Sequence, residues 1–428
     1  MKKVRFLTLG CKVNQYETQA LRESLLEIGF REEAEGASDV VVINTCTVTH
    51  QADRENRYWI RRLRRENPEA KIVVTGCWVE RNRKEVEALS EVNLVLPNRE
   101  KQDLAERLFA GCATSEIERP RTEYDSLRIS SFPGHGRAFV KIQDGCNHAC
   151  SFCKVVLVRG RSRSRRLPEI IEEAARLAEA GFREMVLAGI QLGAYGLDLE
   201  PGQNLISAME ALEALPGIER IRLSSIEPTD VKPELIQAMK RFSKVCPQLH
   251  IPLQSGDDEI LKRMNRRYDR LFYSDLIKTL RTEIPDFCLS MDVMVGFPGE
   301  GESHFENTLS LIGETRPIRV HAFPYSERAG TRAAQFENVP PDVMRERMKR
   351  LVRFSSEVIR KEKEGFIGRT LPVLVEENSA EGFLEGHTPH YFKVSFAGSS
   401  EEVGKSRLVR ITSMEGDRLM GIGEEDRG

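Results

Sequence analysis

The chain has 428 residues, of which 40% are hydrophobic and 30% charged, with a formal net charge of −2. That length allows two or three domains with sizeable cores, and the near-neutral charge excludes a globally basic nucleic-acid binder, so RNA affinity has to come from local patches. Nine cysteines spread over so long a chain fit metal ligands and buried thiols better than a disulfide framework.

The start, Met1 to Gly10, has a charged then apolar character ahead of Cys11. Its apolar run Val4–Leu9 is broken by Arg5 and falls short of a signal-peptide core of about 7–15 residues. No apolar run is long enough to span a bilayer. The expectation is a cytoplasmic protein with no membrane partner.

Residues 2–110 alternate strand-like and helix-like segments: strands at Val4–Leu9, Val40–Asn44, Ile72–Thr75 and Leu94–Leu96. Helices are expected at Gln15–Ile28, at Gln51–Arg65, near Arg83–Leu89 and on to about Phe109. This alternation predicts a parallel sheet covered on both faces. Cys11, Cys46 and Cys77 each fall just past the carboxyl end of a predicted strand, the edge where open α/β sheets bind ligands. Cysteine is also a common buried residue, but three thiols at one loop position point to a second iron–sulfur site. Cys112, Cys246 and Cys288 have no such placement and read as structural thiols. The arginines of Gln51–Arg65, offset by Glu55 and Glu66, read as a solvated face.

Residues 113–135 are polar, contain Pro and Gly and lack periodicity, which predicts a linker. Strands are expected again at Ala138–Ile142, Met185–Ala188, Arg220–Leu223, Leu249–Leu253, Leu289–Val295 and Ile318–Phe323. Amphipathic helices lie between them, such as Pro168–Ala180, with proline in its first turn and Gly181 beyond its end. Six β/α units predict an open, partial β/α barrel whose chemistry sits at the C-terminal rim.

The segment Gly145-Cys146-Asn147-His148-Ala149-Cys150-Ser151-Phe152-Cys153 follows the first of these strands. Three thiolates in a Cys-x3-Cys-x2-Cys loop suit three irons of a four-iron cluster, leaving one iron open to chelate S-adenosylmethionine (SAM). Structural zinc needs four ligands, for which His148 is the local candidate, and a redox Cys-x-x-Cys pair leaves Cys146 idle. Other rim stretches carry Gly189, Glu227, Gln254 and Asp292, candidates to approach or bond a cofactor, although each also fits turn chemistry. The run Arg159, Arg161, Arg163, Arg165 and Arg166, interleaved with serine and glycine, is expected as a loop that holds RNA phosphates, against a plain solvated basic loop.

Pro341–Lys363 predicts a long charged helix. Beyond Gly368 come short alternating segments, Leu371–Val375, Phe392–Phe396, Leu408–Thr412 and Leu419–Gly421, which predict a small β-barrel. From Phe366 onward there are seven basic and eleven acidic residues, a net of −4, so a strong electrostatic grip on RNA is not expected from this part.

The spacing Cys146-x3-Cys150-x2-Cys153, with Phe152 before the last cysteine, resembles the radical SAM signature. Thr8-Leu9-Gly10-Cys11-Lys12-Val13-Asn14, Asn44-Thr45-Cys46 and Thr75-Gly76-Cys77 resemble the N-terminal domain of the methylthiotransferases. The Arg-Ser-Arg run resembles the branch of that family acting on threonylcarbamoyladenosine in tRNA. Lys154-Val155-Val156-Leu157 departs from the more usual run there. The ribosomal-protein branch typically has Pro-Lys-Asn after the first cysteine, and the isopentenyladenosine branch Gln-Met-Asn.

The resemblance implies an N-terminal parallel α/β sandwich over 1–112, a linker over 113–135, a radical SAM (β/α)6 partial barrel over 136–365 and a TRAM-like β-barrel over 366–428. It implies methylthiolation of C2 of the adenine at tRNA position 37. Two 4Fe-4S clusters are implied, one at Cys146, Cys150 and Cys153, and a sulfur-delivering one at Cys11, Cys46 and Cys77, with two SAM per turnover and Phe152 against the adenine of SAM. An electron donor such as flavodoxin is implied, and the sulfur donor is left open. The alternatives are action on isopentenyladenosine or a ribosomal protein, and a non-catalytic iron–sulfur or zinc RNA-binding protein.

Overall fold

The computed structural model describes residues 1–109, 124–125, 127–132, 136–379 and 382–424. Cys112 and most of the expected linker lie outside these. The N-terminal unit is built from β1 (Lys3–Thr8), α1 (Lys12–Glu27), β2 (Arg31–Glu32), β3 (Val40–Thr45), α2 (His50–Glu66), β4 (Lys71–Gly76), α3 (Cys77–Glu87), β5 (Leu94–Leu96) and α4 (Leu104–Phe109). The five strands form one sheet in the order β2-β1-β3-β4-β5, parallel throughout. Val41, Ile43, Ile72 and Val74 pack under α2 and α3, while Val40, Val42 and Val73 pack against α1 and α4. Burial on both faces is why these strands read as unbroken Val/Ile runs.

One boundary differs from expectation. α3 begins at Cys77, directly after β4, rather than near Arg83. Gly76, at φ +104°, makes this sharp entry, and a Cβ there would meet the Thr45 carbonyl oxygen at 2.3 Å. A kink at Asn82 interrupts the helix, so only the stretch beyond it shows clean periodicity.

The middle unit contributes β6 (Arg137–Lys141), β7 (Gln143–Asp144), α5 (Val155–Arg159), β8 (Arg163–Ser164), α6 (Leu167–Glu179), β9 (Glu184–Ala188), α7 (Leu205–Ala214), β10 (Arg220–Leu223), α8 (Pro233–Arg241), β11 (Gln248–His250), α9 (Asp258–Arg263), α10 (Arg270–Glu283), β12 (Cys288–Val295), α11 (Glu302–Thr315), β13 (Arg319–Pro324) and α12 (Pro341–Glu364). Parallel sheets β6-β9-β10 and β11-β12-β13 are joined by parallel bridges Ile221–Val245 and Ser225–His250. The result is an open arc of six strands. Ala138, Met185, Ile221, Leu289, Met291 and Val293 belong to the helix-covered core. The intervening residues, among them Arg137, Glu184, Arg222, His250, Asp292 and His321, line a charged hollow. The expected free arginine loop is corrected: Arg163–Ser164 is β8, paired antiparallel with Gln143–Asp144.

β14 (Thr370–Ser379), β15 (Phe383–His387), β16 (Lys393–Ala397), β17 (Ser406–Glu415) and β18 (Arg418–Gly423) close into a barrel in the order β14-β15-β16-β18-β17. β15 is additional to the expected strands. Its Glu385 is buried and pairs with Lys393 and Arg418, which hides the apolar alternation. The turn after β15 enters the lower mouth of the arc. Arg222 donates to the carbonyls of Pro389 (2.9 Å) and Thr388 (3.2 Å), and Arg220 to those of His387 and Pro372. Arg222, Arg137 and Arg319 stand 4.8, 5.1 and 5.6 Å from the Tyr391 ring centre. Among the described residues, no helix is long and apolar enough to cross a membrane.

Candidate active site at the barrel rim

The loop after β6 is set by Gln143. Its Nε2 donates to the carbonyls of Asp144 and Gly145 and to Ser162 Oγ, and its Oε1 accepts from Gln191 N. Gln191 Oε1 in turn accepts from Asn147 N at 2.9 Å. Gly145 takes φ +73°, and a Cβ there would lie 2.0 Å from the Arg161 carbonyl, so only glycine lets the cysteine loop rest on the β8 turn. Each sulfur accepts a hydrogen bond: Cys146 from His148 N (3.3 Å), Cys153 from Val155 N (3.4 Å) and Cys150 from Arg266 Nη1 (3.2 Å).

Burial and the neighbouring thiols push Cys146 up to about 11 and Cys153 to about 12, partly offset by those N–H donors. Thiols held this way become thiolates when a metal coordinates them. Gln254 is in the left-handed region (φ +63°), and its buried Oε1 has no partner among the described residues, as is also true of Ser224 Oγ. Two unsatisfied polar atoms at strand ends beside three sulfurs fit a cluster with a polar cosubstrate.

Other expected contacts divide. Phe152 packs edge-on against Phe297, ring centres 6.4 Å apart. Glu227 forms an ion pair with Arg266, whose Nε also reaches Tyr268 Oη. Arg266 went unnoticed in the sequence because it sits in no motif. Asp292 is held by His250 Nε2 at 3.0 Å and faces the hollow. At Gly189 a Cβ would meet Gln143 Oε1 at 2.9 Å, so the glycine makes room for that side chain.

The second triplet forms where β1, β3 and β4 end side by side. Cys11 caps α1, Cys46 follows β3 and Cys77 opens α3. Asn14 ties the loops together, donating to the carbonyls of Leu9 and Thr45, both at 3.0 Å. Asn56 holds the Cys46 carbonyl. A Cβ on Gly10 (φ +111°) would lie 3.3 Å from Cys46 Sγ. Burial, together with Cys77, raises the Cys46 thiol to about 12.

The two triplets are brought together. α5 starts two residues after Cys153 and ends at Arg159, whose Nε donates to Cys77 Sγ at 3.3 Å. The same guanidinium reaches Glu17, Asp144 and Asn14. Around it lie buried Lys101 on Glu17 and Lys141 on Glu17, Asp125 and Asp144. Burial works against the charge on Glu17 and Asp144, but the cations beside them hold both carboxyls well below the usual range. Arg328, from the loop after β13, clamps Thr47 and Asp53 at 2.7–2.8 Å. Arg165 pairs with Glu173 at 2.8 Å. Arg159 and Arg165 are therefore corrections to the expected RNA contacts, because both are buried and bonded to buried acids, Arg159 to Glu17 and Asp144 and Arg165 to Glu173. Arg161 is exposed, and Arg163 lines a cleft of about 390 Å³ together with Arg83, Arg99 and Tyr124.

A mononuclear zinc site brings its sulfurs within about 4 Å of one another. Among the described residues only Glu17, Asp125 and Asp144 bring donor atoms within 4.8 Å of one another, and Lys141 and Arg159 already neutralise them. Neither cysteine triplet brings its sulfurs that close together.

An open parallel barrel with this cysteine loop after its first strand defines a radical SAM enzyme, which implies SAM and a 4Fe-4S cluster. The profile described as Radical SAM superfamily matches residues 140–312, and that described as Uncharacterized protein family UPF0004 matches residues 3–97. The radical S-adenosylmethionine methyltransferase TsrM of Kitasatospora setae shares the fold, with a TM-score of 0.55 at 16% identity over 76% of this chain and 75% of that one. Threonylcarbamoyladenosine tRNA methylthiotransferase MtaB of Chlamydia pneumoniae is 39% identical over 97% of each chain. The Bacillus subtilis protein of the same name is 38% identical over 96% of this chain and 94% of its own. The tRNA-2-methylthio-N(6)-dimethylallyladenosine synthase of Clostridium novyi is 36% identical over 97% of this chain and 95% of its own. The chain belongs to the radical SAM methylthiotransferase family, enzymes that transfer a sulfur-containing group.

Proposed function

We propose that this enzyme methylthiolates C2 of N6-threonylcarbamoyladenosine at position 37 of tRNA. The observation that carries a two-site reaction is the Arg159–Cys77 bond, which joins the loop of one cysteine triplet to the other. The names of the relatives at 38–39% identity support the base. Cys146, Cys150 and Cys153 would hold one 4Fe-4S cluster with SAM beside it, and Cys11, Cys46 and Cys77 a second. When bound, these groups supply one-electron chemistry that removes hydrogen from a carbon no base can deprotonate, and a sulfur to take its place.

The chain supplies position and exclusion of water. Arg266 fixes Glu227 beside Cys150, where the carboxylate and the free Gln254 Oε1 can accept from an amino group or a ribose. Phe152 offers an apolar face for the adenine of SAM. Arg159, Arg328 and the Glu17–Lys141 pairs lock the N-terminal sheet onto the rim, so the two sites keep one spacing. Arg161 and Arg163 stand beside this rim and are assigned to phosphates. The units are taken as 1–112, 136–365 and 366–428, joined by 113–135. The setting is cytoplasmic, with tRNA, an electron donor such as flavodoxin and a separate sulfur donor as partners.

Nucleosides from bulk tRNA of a deletion strain test the substrate by mass spectrometry. The expected result is loss of 2-methylthio-threonylcarbamoyladenosine and accumulation of its unmethylthiolated form. Loss of 2-methylthio-isopentenyladenosine instead, or of the methylthio group on a ribosomal protein, would move the chain to another branch.

A further inference from the structure

The hollow of the arc carries more positive charge than its own acids neutralise. Glu184 is fully buried and taken up by Arg222 at 2.7 Å, with Arg220 at 3.8 Å and Arg137 at 3.9 Å. Asp292 is in contact with His250 at 3.0 Å, and Glu376 pairs with Arg137 at 3.7 Å and is hydrogen-bonded to His387. Two cations remain with no carboxylate within ion-pair distance among the described residues. One is Arg319, exposed, with only the Tyr391 face beside it. The other is Lys12.

Lys12 follows Cys11 at the start of α1, a helix that lies along the open edge strand β6. Its Nζ stands 5.9 Å from the Phe139 ring centre and lies within the electrostatic reach of Arg137, Arg222, Glu184 and Tyr391. His321 feels its charge in turn. The N-terminal unit therefore places an ammonium group in the hollow of the barrel. A half-buried cation flanked by arginines, with no carboxylate at ion-pair distance among the described residues, is costly unless an anion joins it. The hollow is open to such an anion: His321 is exposed, and the Asp292 side chain retains 28% of its accessibility. The His250 and His321 rings, 5.6 Å apart, flank the space.

The geometry points to Lys12 as the residue that receives the carboxylate of the threonylcarbamoyl arm, making it a specificity determinant. This rests on the substrate proposed above. An N6-threonylcarbamoyl group ends in a free carboxylate, whereas a dimethylallyl group has none, so an ammonium in the hollow favours the first and leaves the second to face an unpaired charge. Because Lys12 is the neighbour of Cys11, holding the arm there ties the orientation of the base to the second triplet.

The test uses reconstituted enzyme and labelled anticodon stem-loops carrying threonylcarbamoyladenosine, its methyl ester or isopentenyladenosine, with binding read by anisotropy and conversion read separately. Wild type should bind the acid about tenfold or more tighter than the ester, the loss expected for one charge-assisted contact. Lys12→Gln should bind acid and ester alike, and Lys12→Arg should restore the preference, with iron content and melting temperature measured for each variant. Arg319→Gln should erode the preference in part. A Lys12→Gln protein that converts the threonylcarbamoyl stem-loop with the wild-type preference for acid over ester overturns this inference alone. A wild type that converts only the isopentenyl stem-loop overturns the substrate as well.

Discussion

Arg159 Nε lies 3.3 Å from Cys77 Sγ, and this one contact crosses from the barrel to the N-terminal sheet. The guanidinium is bonded on its other nitrogens to Glu17, Asp144 and Asn14, so it has no freedom to follow a substrate. Its role is to hold two halves in register. Arg159→Gln should leave Glu17 and Asp144 short of a cation in a dry interface, a loss of about 3–5 kcal/mol. Thermal or denaturant unfolding measures this, and Arg159→Lys should recover part of it because a lysine cannot reproduce the fork.

The two triplets should separate by role. Anaerobically reconstituted wild type should contain about eight irons per chain. Alanine at Cys146, Cys150 or Cys153 should abolish SAM cleavage. Alanine at Cys11, Cys46 or Cys77 should leave about four irons and retain SAM cleavage while stopping methylthiolated product. Methylthiolated RNA from the latter variants would remove the sulfur-delivery role of the N-terminal unit.

The arginine run should divide in the same way. Arg161→Gln should weaken tRNA binding and flatten its salt dependence by about one phosphate contact, with the melting temperature unchanged. Arg165→Gln should instead lower the melting temperature, because Glu173 is then left buried and unpaired.

Mild acid should loosen the C-terminal barrel. Burial holds His390 down to about 4, against an ordinary 6.5, and His387 is shifted the same way by burial. An unfolded chain takes up these protons near pH 6.5, whereas the folded one refuses them until lower pH. Stability therefore falls as pH drops from about 6.5 to about 4, by up to about 3 kcal/mol for His390. His390→Phe, which fits between Phe366 and Phe392, should flatten the slope of urea midpoint against pH in that window.

What the sequence disclosed was local. Cys46 and Cys77 could be placed because each follows a strand whose Val/Ile run marks its own end, Cys11 because it follows the apolar segment that ends at Leu9, and the Cys146 loop announces itself by spacing. The fates of Arg159 and Arg165 were not local. Glu17 is 142 residues away from Arg159, and Glu173 reaches Arg165 only from the second turn of the helix that follows it, so a basic run looked free. At Gly189 the reason for glycine was likewise out of view: Gln143 packs where a Cβ would lie. Lys12 stood in plain view beside Cys11, but only the docking of α1 on β6 places its amine inside the barrel.

The turn around Tyr391 makes the C-terminal barrel part of the floor of the arc. With Thr388, Pro389 and Tyr391 seated against Arg222, Arg137 and Arg319, the C-terminal unit occupies the lower end of the arc, which leaves the rim as the side that faces a docked substrate. A loss of the Tyr391 turn would therefore reach the interior of the arc without touching either cysteine triplet.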